Sequence, residues 1–202
     1  MPLIDLALLS DAHFMRGLGA AFFFFLANLS FYFVMTVFMQ RTLQLPPLQG
    51  GLVFVPLALT FVVASRHAGA RAKRRGSLVL MEGCAIQIAA LAAIAGLVFV
   101  RQTALSLALI LAIFGYGQGL VMAPLSSAVL SSVKPASAGA GSGMYGTTAQ
   151  IANAAGVAAI GAVFFAVESR HAAQHALFAA LITFAFSIMT CVALLSWMRR
   201  AT

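Results

Sequence analysis

The sequence predicts an all-α membrane protein of six transmembrane helices, and three observations predict it. Of its 202 residues, 62% are hydrophobic and only 8% charged, with a mean hydropathy of +1.02. Soluble domains carry about 25% charged residues, so too few charges are present here to clothe a water-soluble surface, which excludes cytosolic enzymes, secreted disulfide scaffolds and disordered tails. Second, six mostly apolar stretches, 17–39, 46–65, 77–99, 104–131, 139–167 and 176–198, have the length that crossing a hydrocarbon layer requires, about 20 residues each. Third, the basic residues alternate with those stretches. Placing the richest connection on the cytoplasmic side gathers Arg16, Arg66, Arg71, Lys73, Arg74, Arg75, Lys134, Arg199 and Arg200 there, nine of the twelve Lys and Arg, and leaves Arg41, Arg101 and Arg170 outside. That is the positive-inside pattern of a cell (inner) membrane protein with both termini cytoplasmic. The net charge of +8 therefore reports membrane topology, and no nucleic-acid face is expected.

Each element has its own justification. Residues 1–16 lack a positive n-region, an apolar core and a cleavage site, so they do not form a signal peptide. Leu3, Ile4, Leu6, Leu8, Leu9 and Phe14 are interspersed with Asp5, Asp11, His13 and Arg16, the pattern of an amphipathic linker on the cytoplasmic interface. The transmembrane domain runs over 17–199 and leaves 200–202 as a short tail. In the first span Phe22 to Phe25 read as lipid-facing bulk, whereas Asn28, Tyr32 and Thr36, spaced by four, share one face. They either line a substrate cavity or hold helices together by hydrogen bonds. The second span ends in the basic turn with Arg66, Arg71, Lys73, Arg74 and Arg75.

The third span is plain apart from Glu82, the single carboxylate well inside a span. A carboxylate there is costly and a candidate for proton coupling or gating; the plainer alternative, which we favour, is that it pairs with the arginines of its own loop. In the fourth span Gly115, Gly117 and Gly119 precede Pro124, so close helix packing and a kink are expected around Tyr116 and Gln118. The fifth span is the strongest site candidate: Tyr145, Thr148, Ala149, Ala152, Asn153 and Gly156 fall on one face, a polar stripe separated by small residues. It reads as a cavity lining or as interhelical glue. The sixth span is plain, so the spans divide into two triplets of opposite direction, each closing on a plain apolar helix. Cys84 and Cys191 lie in apolar runs and carry no disulfide or zinc spacing.

Other chemistry is not expected. His171 and His175 with Glu168 have a spacing able to hold a metal, but at a short outer loop they read as solvated side chains, and no metal is predicted. The serines at 126, 127, 131 and 132 lack a base and an orienting group, so no enzyme is predicted. GYGQG lies within a span without the strand and acid of a dinucleotide loop.

Taken in order, PLIDLALLSDAHFMRG, LPPLQGGLVFVPLAL, SRHAGARAKRRG, GYGQGLVMAPLSSAVL and AGAGSGMYGTTAQIANAAGVAAIGAVFF resemble the major facilitator superfamily. More closely, they resemble the C-terminal six spans of its fourteen-span drug:proton antiporters, the EmrB/QacA type. The resemblance implies half of that fold, as two inverted three-helix repeats, exporting drugs or other lipophilic small molecules by alternating access. It implies a proton gradient and no cofactor, with spans one, two, four and five toward the cavity and three and six toward lipid. The missing wall would come from an N-terminal half or a second copy; a partner subunit or truncated remnant that transports nothing, or a small homodimeric carrier, are the alternatives. The family's loop motif normally holds an acidic residue, whereas Ala70 to Arg75 has none. Glu82 could substitute as the partner of these arginines.

Overall fold

In the computed structural model the described residues are 6–97 and 103–200, with side chains described for 8–97 and 103–197. Asp5 and Arg101 lie outside them. A short helix, α1 (Leu6–Ser10), is followed at once by α2 (Ala12–Arg41), because the Asp11 carboxylate caps the new helix by accepting from the N–H of His13 at 2.8 Å and of Phe14 at 3.2 Å. The first long helix thus starts before the expected boundary at 17 and absorbs Arg16. Prolines shape the next element. Pro47 opens α3 (Pro47–Val53), and Pro56, which has no N–H to offer Leu52, accompanies the break at Phe54 before α4 (Val55–Arg75).

The basic segment is helical. Instead of forming a turn over 66–76, α4 runs to Arg75 because Ala64 and Ala68 are fully buried against neighbouring helices and the residues after them are good helix formers. Gly76 ends it at φ +57°, a conformation that favours glycine, and α5 (Leu78–Leu97) returns. Thr103 and Ser106 form a reciprocal capping box that starts α6 (Ala104–Leu130), which continues past Pro124. After a 3₁₀ turn at Pro135–Ser137 come α7 (Ala138–Glu168) and α8 (Ala173–Arg200). Among the described residues, α2, α3 with α4, α5, α6, α7 and α8 are long and apolar enough to cross a membrane, making six spans.

The packing crosses between the two triplets more than it stays within them. α2 packs on α7 and α8, and α6 packs on α4 and α5; α5 meets α8, and α2 meets α6. Exchanging the triplets (α2 with α6, α4 with α7, α5 with α8) maps this scheme onto itself, as an inverted repeat requires. The position of α2 between its neighbours corrects one expectation. Phe24 and Phe25 are buried at 1% and 7% exposure rather than facing lipid, and Phe22 and Phe23 pack against the same core. Phe31 stacks on Phe114 with centroids 4.1 Å apart and meets Phe184 edge-on, joining α2, α6 and α8.

Glycine sets the helix spacing at α6. A Cβ added to Gly83 would lie 2.6 Å from the Gly117 carbonyl oxygen, and one on Gly117 2.7 Å from that of Gly83, so α5 and α6 touch backbone to backbone. On the other side of α6, Gly119 faces the Phe61 carbonyl and Gly115 the Leu57 carbonyl of α4. Gly156 of α7 sits in the same way on the Leu26 carbonyl of α2.

Candidate functional site

Close approach of α6 to α4, with α2 alongside, leaves an open cavity of about 540 Å³ lined by Asn28, Tyr32 and Thr36, by Phe54, Leu57, Ala58 and Phe61, and by Gln118 and Met122. Its size is that of a drug-binding cleft. The i, i+4 spacing on α2 delivers its three polar residues to one wall, Gly115 and Gly119 seat α6 against α4, and Gln118 reaches across from α6 to α2. The Tyr32 hydroxyl donates to Gln118 Oε1 at 2.7 Å, and Gln118 Nε2 donates to Asn28 Oδ1 at 2.9 Å. Thr36 Oγ1 donates to the Tyr32 carbonyl at 2.7 Å. Gln118 is 3% exposed, so its amide is held from inside the bundle and fixes the two α2 side chains at the cavity edge.

Of the residues singled out in the sequence, the structure thus brings together Asn28, Tyr32, Thr36 and Gln118. Tyr116, two positions from Gln118, points elsewhere: its hydroxyl accepts from Arg71 Nη1 at 3.5 Å. Tyr145 lies edge-on to Phe25 with centroids 6.0 Å apart, while Thr148 and Asn153 are half-buried on α7; none of the three lines this cavity. The α7 stripe instead packs on α2, with Ala149, Ala152 and Gly156 buried. The resemblance turns the second span toward the cavity but does not single out its lining residues. Phe54, Leu57, Ala58 and Phe61 repeat at helical spacing, a signal present in the sequence, but in an apolar span that spacing does not tell a cavity face from a lipid face.

At the end of the bundle that holds most of the basic residues, Arg71 Nη2 contacts both Glu82 carboxylate oxygens at 2.8 Å, and Arg75 Nη1 lies 3.6 Å from Glu82 Oε2. Arg66, Lys73 and Arg74 are exposed. Pro124 is buried beside a separate hollow of about 380 Å³ between the end of α4, the start of α5 and α6. At the opposite end Glu168 pairs with Arg41 at 3.1 Å, and the His171 and His175 rings lie 6.0 Å apart.

The model of the Major Facilitator Superfamily matches residues 2–157. The chain is similar to a probable actinorhodin transporter of Streptomyces coelicolor, 28% identical over 171 residues that cover 81% of this chain and 29% of that protein. It is also similar to the cephamycin export protein CmcT of Amycolatopsis lactamdurans, 36% identical over 145 residues that cover 64% of this chain and 27% of the relative. The chain therefore spans less than a third of the length of these curated relatives.

Proposed function

The chain belongs to the Major Facilitator Superfamily, and from that premise we propose that it forms one wall of a secondary transporter that exports small lipophilic molecules by alternating access. The observation that carries this reading is the cavity whose polar edge is the Tyr32–Gln118–Asn28 chain, a drug-sized open cleft. Similarity to a protein named for export, and to a second named as a transporter, supports the direction outward. The function is transport rather than catalysis, with a proton gradient as the energy source and no bound cofactor.

The other wall is an N-terminal half or a second copy. It would meet α4 and α7, whose outer faces carry exposed Leu59, Val62, Val63, Ile151 and Val163. In this reading the end rich in Arg and Lys faces the cytoplasm of a cell membrane. Glu82, held by Arg71 and Arg75, is a latch that fastens the end of α4 to the start of α5 and is released as the bundle rocks.

The test is movement of a fluorescent aromatic compound across vesicles bearing an imposed pH gradient. Vesicles would carry this chain alone or together with a separately expressed N-terminal half-transporter. Gradient-dependent movement with the chain alone assigns the second wall to a second copy, and movement only with the added half assigns it to that half. In either case Gln118→Leu should slow movement by about tenfold, the cost of about 1.4 kcal/mol in transition-state binding. No movement in both preparations, with the protein inserted and folded, overturns the proposal.

A further inference from the structure

Resting on the reading of the α2–α4–α6 cavity as a ligand site, we infer that this wall takes an uncharged aromatic ligand bearing carbonyl acceptors, such as an aromatic ketone or quinone, in preference to a lipophilic cation. The residues that line the cavity include no carboxylate and no basic side chain. The whole sequence has four acidic residues, and none reaches the cavity from the described residues. Asp11 caps α2 at one end of the bundle, and Glu168 is paired with Arg41 at the other. Glu82 is taken by Arg71 and Arg75 and borders a different groove, between α5 and α8. This wall offers a charged ligand of either sign no counter-ion for the hydration it gives up on entering.

The hydrogen-bond inventory narrows the class further. The Tyr32 proton is committed to Gln118 Oε1, the Asn28 carbonyl to Gln118 Nε2, and the Thr36 proton to the Tyr32 carbonyl. What remains is the Asn28 amide N–H pair and the second Gln118 N–H as donors, with the Tyr32 and Thr36 oxygens as acceptors. Amide donors suit a ligand carbonyl, and the hydroxyl oxygens suit a ligand O–H next to it. Around them Phe54, lying 5.6 Å from the Tyr32 ring, Phe61 and Met122 offer aromatic faces and a polarizable thioether to a flat ring system.

The experiment is a pair of fluorescence titrations on the purified chain in lipid nanodiscs, with empty nanodiscs as the partition control. The probes are 1,4-dihydroxyanthraquinone, neutral at pH 7, and ethidium, a planar cation of similar size. Saturable binding of the quinone, about tenfold or more tighter than ethidium, is expected. Gln118→Glu, and independently Asn28→Asp at the less buried edge, should reverse that preference by supplying the counter-charge. Ethidium binding as tightly as the quinone on the unaltered chain overturns the inferred ligand class while leaving the cavity as a ligand site. Quinone binding that neither substitution alters overturns the assignment to this wall. Binding of neither probe overturns the cavity reading and this inference with it.

Discussion

At the scale of single residues, Asp11 shows how one side chain joins local structure to the global fold. Partial burial pushes its carboxyl up, but the Phe14 N–H, the Ser132 hydroxyl, the His13 N–H and the nearby His13 side chain together hold it below the usual carboxylate value. A carboxyl lowered in the folded state adds stability that is fully present above the ordinary carboxylate range and is lost as pH falls through its folded value. Asp11→Ala should therefore cost about 1 kcal/mol at neutral pH, the usual worth of an N-cap, and the difference from the unaltered chain should shrink toward pH 3. Thermal unfolding in detergent across that pH range checks it, and a gap that stays constant with pH would show that the carboxylate charge is not involved. Residue patterns made part of the candidate cavity's lining legible in advance. Asn28, Tyr32 and Thr36 were readable because a spacing of four puts them on one face, and Gln118 because amides in an apolar span need partners. Tyr145, Thr148 and Asn153 form an equally good stripe, yet the cavity lies on α2, α4 and α6, since a stripe reveals a face but not the neighbour it meets.

At the scale of elements, hydropathy gave the six spans because helices in lipid must be long and internally hydrogen-bonded, while their ends were set by caps and burial that hydropathy does not measure. α4 is the clearest case. Its charged last turns read as a loop, but Ala64 and Ala68 keep that stretch helical against its neighbours as far as Gly76. Glycine content likewise does not distinguish contact from open surface, whereas the structure does. A Cβ on Gly119 would stand 2.5 Å from the Phe61 carbonyl oxygen and 2.8 Å from the Ala64 Cβ, while a Cβ on Gly143 would meet nothing within 4 Å. Gly119→Ala should thus force α4 and α6 apart and destabilise by about 1–3 kcal/mol, as overpacking does. Gly143→Ala, free of any clash, should instead stabilise by up to about 1 kcal/mol through helix propensity. The two substitutions are chemically identical, so opposite shifts in melting temperature would isolate helix spacing as the cause, and shifts of the same sign would refute it.

At the scale of the whole molecule, the exchange symmetry of the packing makes the six helices one interlocked unit. α2 finds its principal partners, α7 and α8, in the other triplet, and α6 finds its own in α4 and α5. Within the first triplet α4 and α5 touch only lightly, and the cavity itself needs α6 from the second. Helices in lipid associate through packing and hydrogen bonds rather than through exclusion from water, so a triplet deprived of its partner keeps its spans but loses most of what orders them. Cutting the chain in the connection around Arg101 tests this directly. Fragments 1–101 and 102–202 expressed separately should each insert but remain protease-sensitive, because Gly83, Gly115, Gly117, Gly119 and Gly156 would all face missing or mobile neighbours. Co-expressed, they should purify together and regain resistance. Gln118→Leu in the second fragment should still permit that reassembly, since interhelical hydrogen bonds between such groups are worth only about 0.6–2 kcal/mol in membranes, while quinone binding to the reassembled pair should weaken by about tenfold. A first fragment that is protease-resistant alone would mean that each triplet is an autonomous fold, and the interlocked arrangement would then be a consequence of docking rather than the source of order.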